Sequence, residues 1–329
     1  MHKCVTMKKI YVLLFFTIFS LPHIYAQQPA QYSLYMLNPY GVNPAAAGLK
    51  GTLEATAGMR TQWVAIEGKP LTQYLNVVLP LSIVSSGVGI SIHNESIGAR
   101  SGLTAKASYN YIMKVAGGQL SFGASGGIVQ GTLNGSKLRT PGGDYNQGVI
   151  DHKDNILSSV SINGMTPTFD MGIFFMHEKF EGGISASNLI EPKLKLTGTT
   201  DINVVLKRNY YALLGAHFGL VGNFSIHPSI LIKSDAIQTQ MDFSTFVRYN
   251  DNIFLGATFR GYHKNSQDAI AAFGGLNLNS KLKLAYSYDI TLSALKTVTQ
   301  GTHEIVLQYN LGKEFGKGKL PPIIYNPRF

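Results

Sequence analysis

The feature that most constrains this chain is an alternation of apolar and polar side chains, with a period of two residues, that recurs along most of its length. Residues two apart point to the same face of a β-strand, so such a segment predicts a strand with one apolar and one polar face. In the segment 281–290, the apolar face carries Leu282, Leu284, Tyr286, Tyr288 and Ile290, and the other carries Lys281, Lys283, Ala285, Ser287 and Asp289. The segment 103–114 repeats this pattern, and only Ile112 breaks it.

The number of these segments and their connections favour a closed barrel over a β-sandwich, which would bury its apolar face. Connections are long after odd-numbered strands, as at 130–166, and tight after even-numbered ones, as at Ala116-Gly117. This asymmetry is typical of outer-membrane barrels, whose tight turns are periplasmic. The connection at 234–238 is only moderately long and fits least well. We therefore predict an all-β fold, a single transmembrane antiparallel β-barrel of about 14 strands, at 51–60, 71–79, 86–93, 103–115, 118–129, 167–177, 179–188, 204–218, 223–233, 239–249, 252–261, 268–278, 280–289 and 302–312.

Composition agrees with a barrel whose outer face meets lipid. Hydrophobic residues make up 45% of the chain and charged residues only 14%, with 35 glycines, 17 tyrosines and 17 phenylalanines. A water-soluble protein usually carries about 25% charged residues. Pro228 falls inside a predicted strand, where it cannot donate a ladder hydrogen bond, so we expect a bulge or a local break there.

The N-terminal residues predict export. Three lysines precede an apolar run at 10–21, followed by Pro22 and a small-residue exit at Ala26, which is the pattern of a cleaved signal peptide over 1–26. No later run offers the roughly 20 apolar residues of a transmembrane helix. The only cysteine, Cys4, precedes the apolar run, so the mature chain would contain no thiol. We expect an outer-membrane location, with an arm at 27–50, a barrel at 51–312 and a tail at 313–329.

Charge and motifs exclude several functional classes. The formal charge is +10, and removal of the signal peptide leaves +7. The basic residues are dispersed along alternating strands, which argues against a nucleic-acid partner. The histidines form no close metal-ligand pair, and no spacing selects a serine hydrolase, so we predict no metal, no cofactor and no catalytic residue. Five cations are predicted to face the lumen: Lys106, Lys114, Arg260, Lys281 and Lys283.

The arm before the first strand is the most unusual segment. Asn38 and Asn43 each precede a proline, which forces both out of the helical region and predicts a rigid, aromatic, non-helical arm. Two interpretations remain open: a tethered periplasmic terminus, or a plug or docking strip. The second is reasonable because a barrel of about 14 strands encloses more space than its own inward side chains readily fill.

At this arm the sequence resembles the PorP/SprF family of type IX secretion membrane proteins. Tyr35-Met36, Asn38-Pro39 and Asn43-Pro44-Ala45, closing at Gly48, resemble the family's N-terminal signature, although Ala46 replaces an expected aromatic. The block Arg60-Thr61-Gln62-Trp63 with Pro70 and Thr72 is similar to the family's next block. Weaker similarities lie at Leu120-Ser121-Phe122-Gly123, His303-Glu304-Ile305 and Asn326-Pro327-Arg328-Phe329.

The resemblance implies a non-enzymatic accessory component of type IX secretion in Bacteroidetes, which helps export or anchor a particular adhesin-like surface protein, in some members linked to gliding. Its implied partners are that cargo, the lipid bilayer and other secretion components at the outer membrane and periplasm. The alternatives are a passive porin or small-solute transporter, with an open lumen lined by the five cations, and a lipid hydrolase. The implied partner-binding or plug residues are Tyr35, Met36, Asn38, Pro39, Asn43, Pro44, Ala45, Gly48, Arg60, Gln62, Trp63 and Pro70.

Overall fold

Fourteen antiparallel strands close into a barrel, which confirms the predicted fold class. The computed structural model describes residues 30–145, 150–154, 159–198, 201–262 and 266–314, so the predicted signal peptide and the tail from 315 lie outside it. The strands are β1 Thr52–Thr61, β2 Leu71–Leu81, β3 Ser86–Ile97, β4 Arg100–Val115, β5 Gly118–Asn134, β6 Ser161–Met176, β7 Phe180–Ser187, β8 Asn209–Ala216 (continued by Phe218–Gly219), β9 Phe224–Ser234, β10 Thr239–Tyr249, β11 Ile253–Arg260, β12 Ala269–Asn277, β13 Leu282–Thr291 and β14 Thr302–Glu314. β14 pairs with β1, which closes the ring.

The remaining elements are short. Two strands, Lys193–Leu196 and Ile202–Val205, form a hairpin between β7 and β8, named the loop hairpin below. Within the described ranges no helix is long and apolar enough to cross a bilayer. Single-turn 3₁₀ helices lie at Tyr35–Leu37, Pro39–Gly41, Pro44–Ala46, Ser82–Val84, Gly135–Lys137 and Ala294–Thr297.

The barrel is apolar outside and polar inside. Leu75, Ile90 and Leu255 are among the many large apolar side chains that remain exposed on the outer face. The inward positions of the same strands are buried and mostly polar, as at Asn76 and Asn110. Such an inversion of the usual pattern follows because the outer face meets hydrocarbon while the inner face meets polar groups.

The connections define two ends of the barrel. The turn end carries tight connections such as 116–117, 177–179 and 250–252, and the loop end carries connections such as 62–70, 135–160, 188–208 and 292–301. Two loop-end connections are nevertheless short, at 98–99 and 235–238. At the first, β3 and β4 continue beyond their predicted ends and meet in a tight hairpin.

Strands β4, β5 and β6 have 16, 17 and 16 residues, whereas a membrane-spanning strand needs about 9–11. They therefore project from the membrane at the loop end. Part of the predicted long loop at 130–166 is consequently strand. The sequence signal misses this extension because a strand outside the membrane no longer needs apolar residues on its outer face.

The bulge expected at Pro228 is absent, and the predicted start of β8 is too early. β9 pairs with β10 in continuous register through Pro228. The break lies on the neighbouring β8, whose strand is interrupted at His217, because proline has no N–H to donate across that side. On the β7 side, the His217 N–H donates to the Lys179 carbonyl at 2.8 Å. Residues 204 and 205, predicted to open β8, belong to the loop hairpin.

Replacement of a lipid-facing residue near the middle of a strand by arginine should destabilise the barrel. Leu307 pairs with Ala57 near the centre of the β1–β14 ladder and is 41% exposed. We expect Leu307→Arg to lower the free energy of unfolding by about 2–4 kcal/mol in lipid vesicles, measured by urea titration. The control Val298→Arg, in the 292–301 connection, should change it by less than about 0.5 kcal/mol. Equal losses would contradict the assignment of the outer face to lipid.

Candidate functional site

The arm runs through the barrel interior from the loop end to the turn end. At the loop end the Gln31 side chain bonds to Gln62 at 3.2 Å and to Gln240 at 3.3 Å. At the turn end Lys50 pairs with Glu54 at 3.1 Å. Most of the side chains between these points are buried. The arm therefore lies across the lumen from one mouth to the other.

Local sequence sets the shape of the arm. Asn38 (ψ 67°) and Asn43 (ψ 113°) both lie outside the helical region, as the following prolines require. The arm was expected to be non-helical, and it contains no α-helix, but it does contain three single 3₁₀ turns. Two of these turns start at Pro39 and Pro44, because proline is favoured at the first position of a helical turn.

Barrel side chains satisfy the backbone of the arm. The Asn110 amide donates to the carbonyls of Ala45 at 3.0 Å and Ala47 at 2.9 Å. The Gln308 amide donates to the Leu37 carbonyl at 2.6 Å. A buried segment without regular ladders needs such partners for its polar groups. These hydrogen bonds fix the arm in place.

Asn43 anchors the middle of the arm. Its amide donates to the carbonyls of Ile173 at 3.0 Å and Ile184 at 3.1 Å, on β6 and β7. Its side-chain oxygen accepts from the Ala45 N–H at 3.0 Å. Both hydrogen-bonding groups of the side chain are thus used, one on the barrel and one on the arm.

Glycines on the inner face leave room for the arm. A Cβ at Gly123 on β5 would lie 2.5 Å from the Cα of Ala45, a separation that real Cβ atoms do not show. Gly172 and Gly183, on β6 and β7, are similarly covered by Asn43, and Gly87 is covered by Ala47. At these positions glycine permits a close approach of arm and strand.

A cluster of six buried charges surrounds the start of the arm. Its members lie on six strands, and each is at most 4% exposed. Three are cations and three are carboxylates: Arg60, Lys233 and Arg260, with Asp242, Asp289 and Glu304. We name them the charge cluster. Its formal charges balance, which satisfies the requirement that charges removed from water be paired.

Ion pairs connect the charge cluster across the interior. Arg60 contacts Asp289 at 2.6 Å and Glu304 at 2.9 Å. Arg260 contacts Asp242 and Asp289, both at 3.1 Å. Lys233 Nζ lies 3.7 Å from the Asp242 carboxylate, a longer contact. Two arginines thus share Asp289 and link β1, β10, β11, β13 and β14.

Ser33 of the arm lies within this cluster. Its backbone N–H donates to Glu304 at 2.7 Å, and its hydroxyl contacts Asp289 at 2.8 Å. The same hydroxyl oxygen accepts from Arg60 at 3.1 Å and from Arg260 at 3.0 Å. Hydrogen bonds to charged groups are the stronger class, and a serine at this point uses both its donor and its acceptor capacity.

The structure brings most of the predicted site residues together. Trp63 donates its backbone N–H to the Thr302 hydroxyl at 3.1 Å, and Pro70 accepts from the Gln62 N–H at 2.9 Å, both at the loop end. Tyr35 donates its hydroxyl to the Asp242 carbonyl at 3.1 Å. Buried within the barrel are Tyr35, Met36, Pro39, Asn43, Pro44, Ala45, Gly48 and Arg60, with Asn38 partly buried.

The predicted lumen-facing cations divide into two groups. Lys106, Arg260 and Lys283 lie inside, with Lys106 paired to Asp170 at 2.7 Å. Lys114 and Lys281 are exposed next to turn-end connections and do not line the enclosed interior. This is a correction: alternation gives the direction of a side chain but not its depth in the barrel. For the same reason the sequence prediction missed Asp242, Asp289 and Glu304, although their positions on the polar faces of strands were a usable signal. Ser33 lies on the arm, outside any strand, and no pattern marked it.

A cavity of about 530 Å³ lies on the loop side of the arm. We name it the loop-side chamber. The arm supplies its floor, including Tyr32 and Tyr40, and strands from β2 to β8 supply its walls. Hydroxyl and amide groups dominate the polar part of the wall, including Thr72, Ser91, Thr104, Ser125, Asn188 and Asn209.

Removal of one charge from the cluster should be strongly destabilising. Arg60→Met leaves Glu304 buried without its cation, so we expect a loss of about 3–5 kcal/mol in the free energy of unfolding. Adding Glu304→Gln removes the unpaired charge while an amide oxygen can still accept from the Ser33 N–H. The double variant should therefore be more stable than Arg60→Met alone by about 1 kcal/mol or more, as measured by urea titration in vesicles. If the double variant lost the sum of the stabilities lost by Arg60→Met and Glu304→Gln alone, the predicted interaction between Arg60 and Glu304 would be contradicted.

Comparison with known structures gives barrels of low sequence identity. The CymD monoaromatic hydrocarbon channel shares 12% identity, with 87% of this chain and 94% of that chain covered and a TM-score of 0.50. The Ralstonia pickettii toluene transporter TbuX gives the same identity, coverage and TM-score. At this identity the likeness shows the fold alone. No curated protein matches the chain.

Comparison with protein families gives a match over most of the sequence. The family model of the type IX secretion system membrane protein PorP/SprF covers residues 24–309. The matched region includes the arm and thirteen complete strands, together with most of β14. The chain therefore belongs to the PorP/SprF family of type IX secretion system membrane proteins and is an outer-membrane component of that system.

Proposed function

We propose that this protein binds an exported, adhesin-like surface protein at the loop end of the barrel and helps to export or anchor it. The observation that carries the proposal is the arm, which occupies the lumen and is held by the charge cluster, Asn43 and Asn110. A barrel with a filled interior offers its loop end as a binding surface and not as an entrance. Family membership supports a role in secretion.

The passive-porin alternative fits less well with this interior. An open channel requires a continuous aqueous path, and the arm crosses the lumen between its two mouths. Lys106 and Arg260, two of the cations expected to line an open lumen, pair with Asp170, Asp242 and Asp289. Their charges are compensated within the wall, so they offer little net attraction to a passing anion.

A small-solute transporter is the second candidate, because the two barrels compared above are described as a monoaromatic hydrocarbon channel and a toluene transporter. A monoaromatic solute would require an apolar path. The loop-side chamber instead presents many hydroxyl and amide groups, together with the ion pair of Lys106 and Asp170. The chemistry of the chamber therefore favours a polar ligand.

We also propose that the protein is not an enzyme. Ser225, His227 and His217 form a hydrogen-bonded row, with 2.8 Å between Ser225 Oγ and His227 Nε2 and 2.7 Å between the two Nδ1 atoms. A serine hydrolase needs such a row together with access for its substrate. His227 is fully buried, and its ring stacks on Phe246 with centroids 4.5 Å apart. The row is better explained as packing at the turn end.

Loss of the protein should remove a particular protein from the cell surface. In a strain lacking this gene, labelling of intact cells followed by mass spectrometry should show one or a few exported surface proteins depleted at least tenfold. Other type IX cargo should remain, and the wild-type gene should restore the missing protein. An unchanged surface proteome would contradict the proposal.

Displacement of the arm should open the lumen. Gly123→Ala places a Cβ against Ala45, whereas the control Gly126→Ala, on the outer face of the same strand, meets Phe169 at 3.4 Å. In planar bilayers we expect low conductance from the wild type and from Gly126→Ala, and a severalfold higher conductance from Gly123→Ala. Steady, high conductance from the wild type would favour the porin alternative instead.

A further inference from the structure

The loop hairpin lies above the loop-side chamber, on the inner side of the projecting strands. Leu194 packs over Gly131 of β5, and Lys195 covers Gly164 of β6. A small hydrophobic cluster holds the hairpin there, formed by Ile162, Leu194 and Leu196 with Leu133, Ile202 and Val204 against them. The hairpin is therefore held against the inner side of β5 and β6.

One edge of the loop hairpin has no strand beside it among the described residues. Ile202–Val205 pairs with Lys193–Leu196 and with no other described strand. The Leu206 N–H donates to the Pro192 carbonyl at 3.0 Å, which shows which way that residue points. Successive residues of an antiparallel strand alternate in direction, so the N–H groups of Asn203 and Val205 point to the outer edge.

The opposite side of the hairpin agrees with this register. The Thr197 N–H donates to the Asn163 carbonyl at 3.0 Å, so the first hairpin strand faces β6 with its own outward groups. The second strand is the one whose outward backbone groups face no described strand. A row of unpaired backbone donors and acceptors is a template for another strand.

The unoccupied edge leads directly into the chamber wall. Leu206, Lys207 and Asn209 follow the hairpin and line the cavity. The Asn209 side chain is only 8% exposed, and its amide group donates to the Lys207 carbonyl at 3.1 Å. Its Oδ1 atom is buried and accepts no hydrogen bond from a described residue. A buried acceptor without a donor is unfavourable, so this atom points to a ligand with a donor.

The chamber chemistry suits a polar, hydrogen-bonding ligand. The carboxylate of Asp170 in the chamber wall is already satisfied by Lys106 at 2.7 Å, Ser125 at 2.9 Å and the Asn188 N–H at 3.1 Å. Most other polar groups of the wall are hydroxyls and amides, and Glu95, Arg100 and Lys207 add further charges. The volume of about 530 Å³ lies within the roughly 300–1,000 Å³ usual for binding pockets.

We propose that the outer edge of Ile202–Val205 and the loop-side chamber form one binding site for an extended terminal segment of the exported partner. The segment adds to the hairpin as a third strand, through the N–H groups of Asn203 and Val205. Its end enters the chamber and donates to Asn209 Oδ1. The outward backbone groups of the edge strand favour a polypeptide over a glycan, because only a polypeptide supplies backbone N–H and C=O groups at the matching spacing. This inference rests on the proposed function.

The test uses the purified barrel in detergent and the isolated terminal domain of the surface protein whose display depends on it. Asn203→Pro removes an outward N–H, and Asn209→Leu removes the buried acceptor at similar volume. The matched controls are Ala294→Pro, at the first position of an exposed loop-end 3₁₀ turn, and Asn223→Leu, at the exposed turn end. Calorimetry should show binding weakened about tenfold by each test variant, since each removes one hydrogen bond to the segment, and unchanged by the controls.

The outcomes separate this site from the proposed function. If the wild-type barrel binds neither the terminal domain nor the whole surface protein, the proposed function itself is overturned, whereas binding of the whole protein without its terminal domain being bound overturns only this site. If the wild type binds and both test variants bind equally well, the partner docks elsewhere and only this site is overturned. Thermal unfolding of each variant checks folding, and Asn209→Leu leaves the hairpin ladder intact should Asn203→Pro disturb it.

Discussion

The structure depends on the compensation of buried charge around one serine of the arm. Ser33 bonds to Glu304 and Asp289 and accepts from Arg60 and Arg260. These partners include residues of β1 and β14, the two strands whose pairing closes the barrel. A buried ion pair adds little stability over an apolar pair of the same volume, but loss of one partner is costly. The charge cluster therefore specifies one arrangement of arm and barrel more than it stabilises the fold.

Space is the second constraint, and the glycines resolve it. A ring of 14 strands encloses more volume than inward side chains fill, and here a segment of the same chain occupies that volume. The arm has no ladder of its own, so Asn110 and Gln308 supply its backbone with partners. Where the backbone of the arm lies against β5, at Gly123, only glycine leaves room. The arm thus depends both on hydrogen bonds from the barrel to its backbone and on close packing against glycines.

Much of the fold could be predicted from the sequence because lipid imposes a strict rule on the outer face. The period-two pattern located all fourteen strands, and the backbone of Asn38 and Asn43 lies outside the helical region, as their prolines require. The pattern carries no information beyond the membrane, so the full length of β4–β6 was missed. The pattern also gives the direction of a side chain but not its depth in the barrel, so Lys114 and Lys281 were predicted to line the lumen although they are exposed at the turn end. The contact of Ser33 with Asp289 spans 256 residues, and no local pattern records such a pair.

The arm and the loop-side chamber belong to one rigid arrangement. Tyr32 and Tyr40 form the floor of the chamber, and Tyr40 is fixed by a 2.9 Å hydrogen bond to Ser108. The contacts that hold Ser33 and Asn43 therefore also shape the surface that a ligand meets. Such preorganisation lowers the entropic cost of binding, because the site does not have to be ordered by its ligand. Arg60 lies deep in the lumen, and through its contacts with Asp289, Glu304 and Ser33 it helps to set the position of the arm that forms the chamber floor.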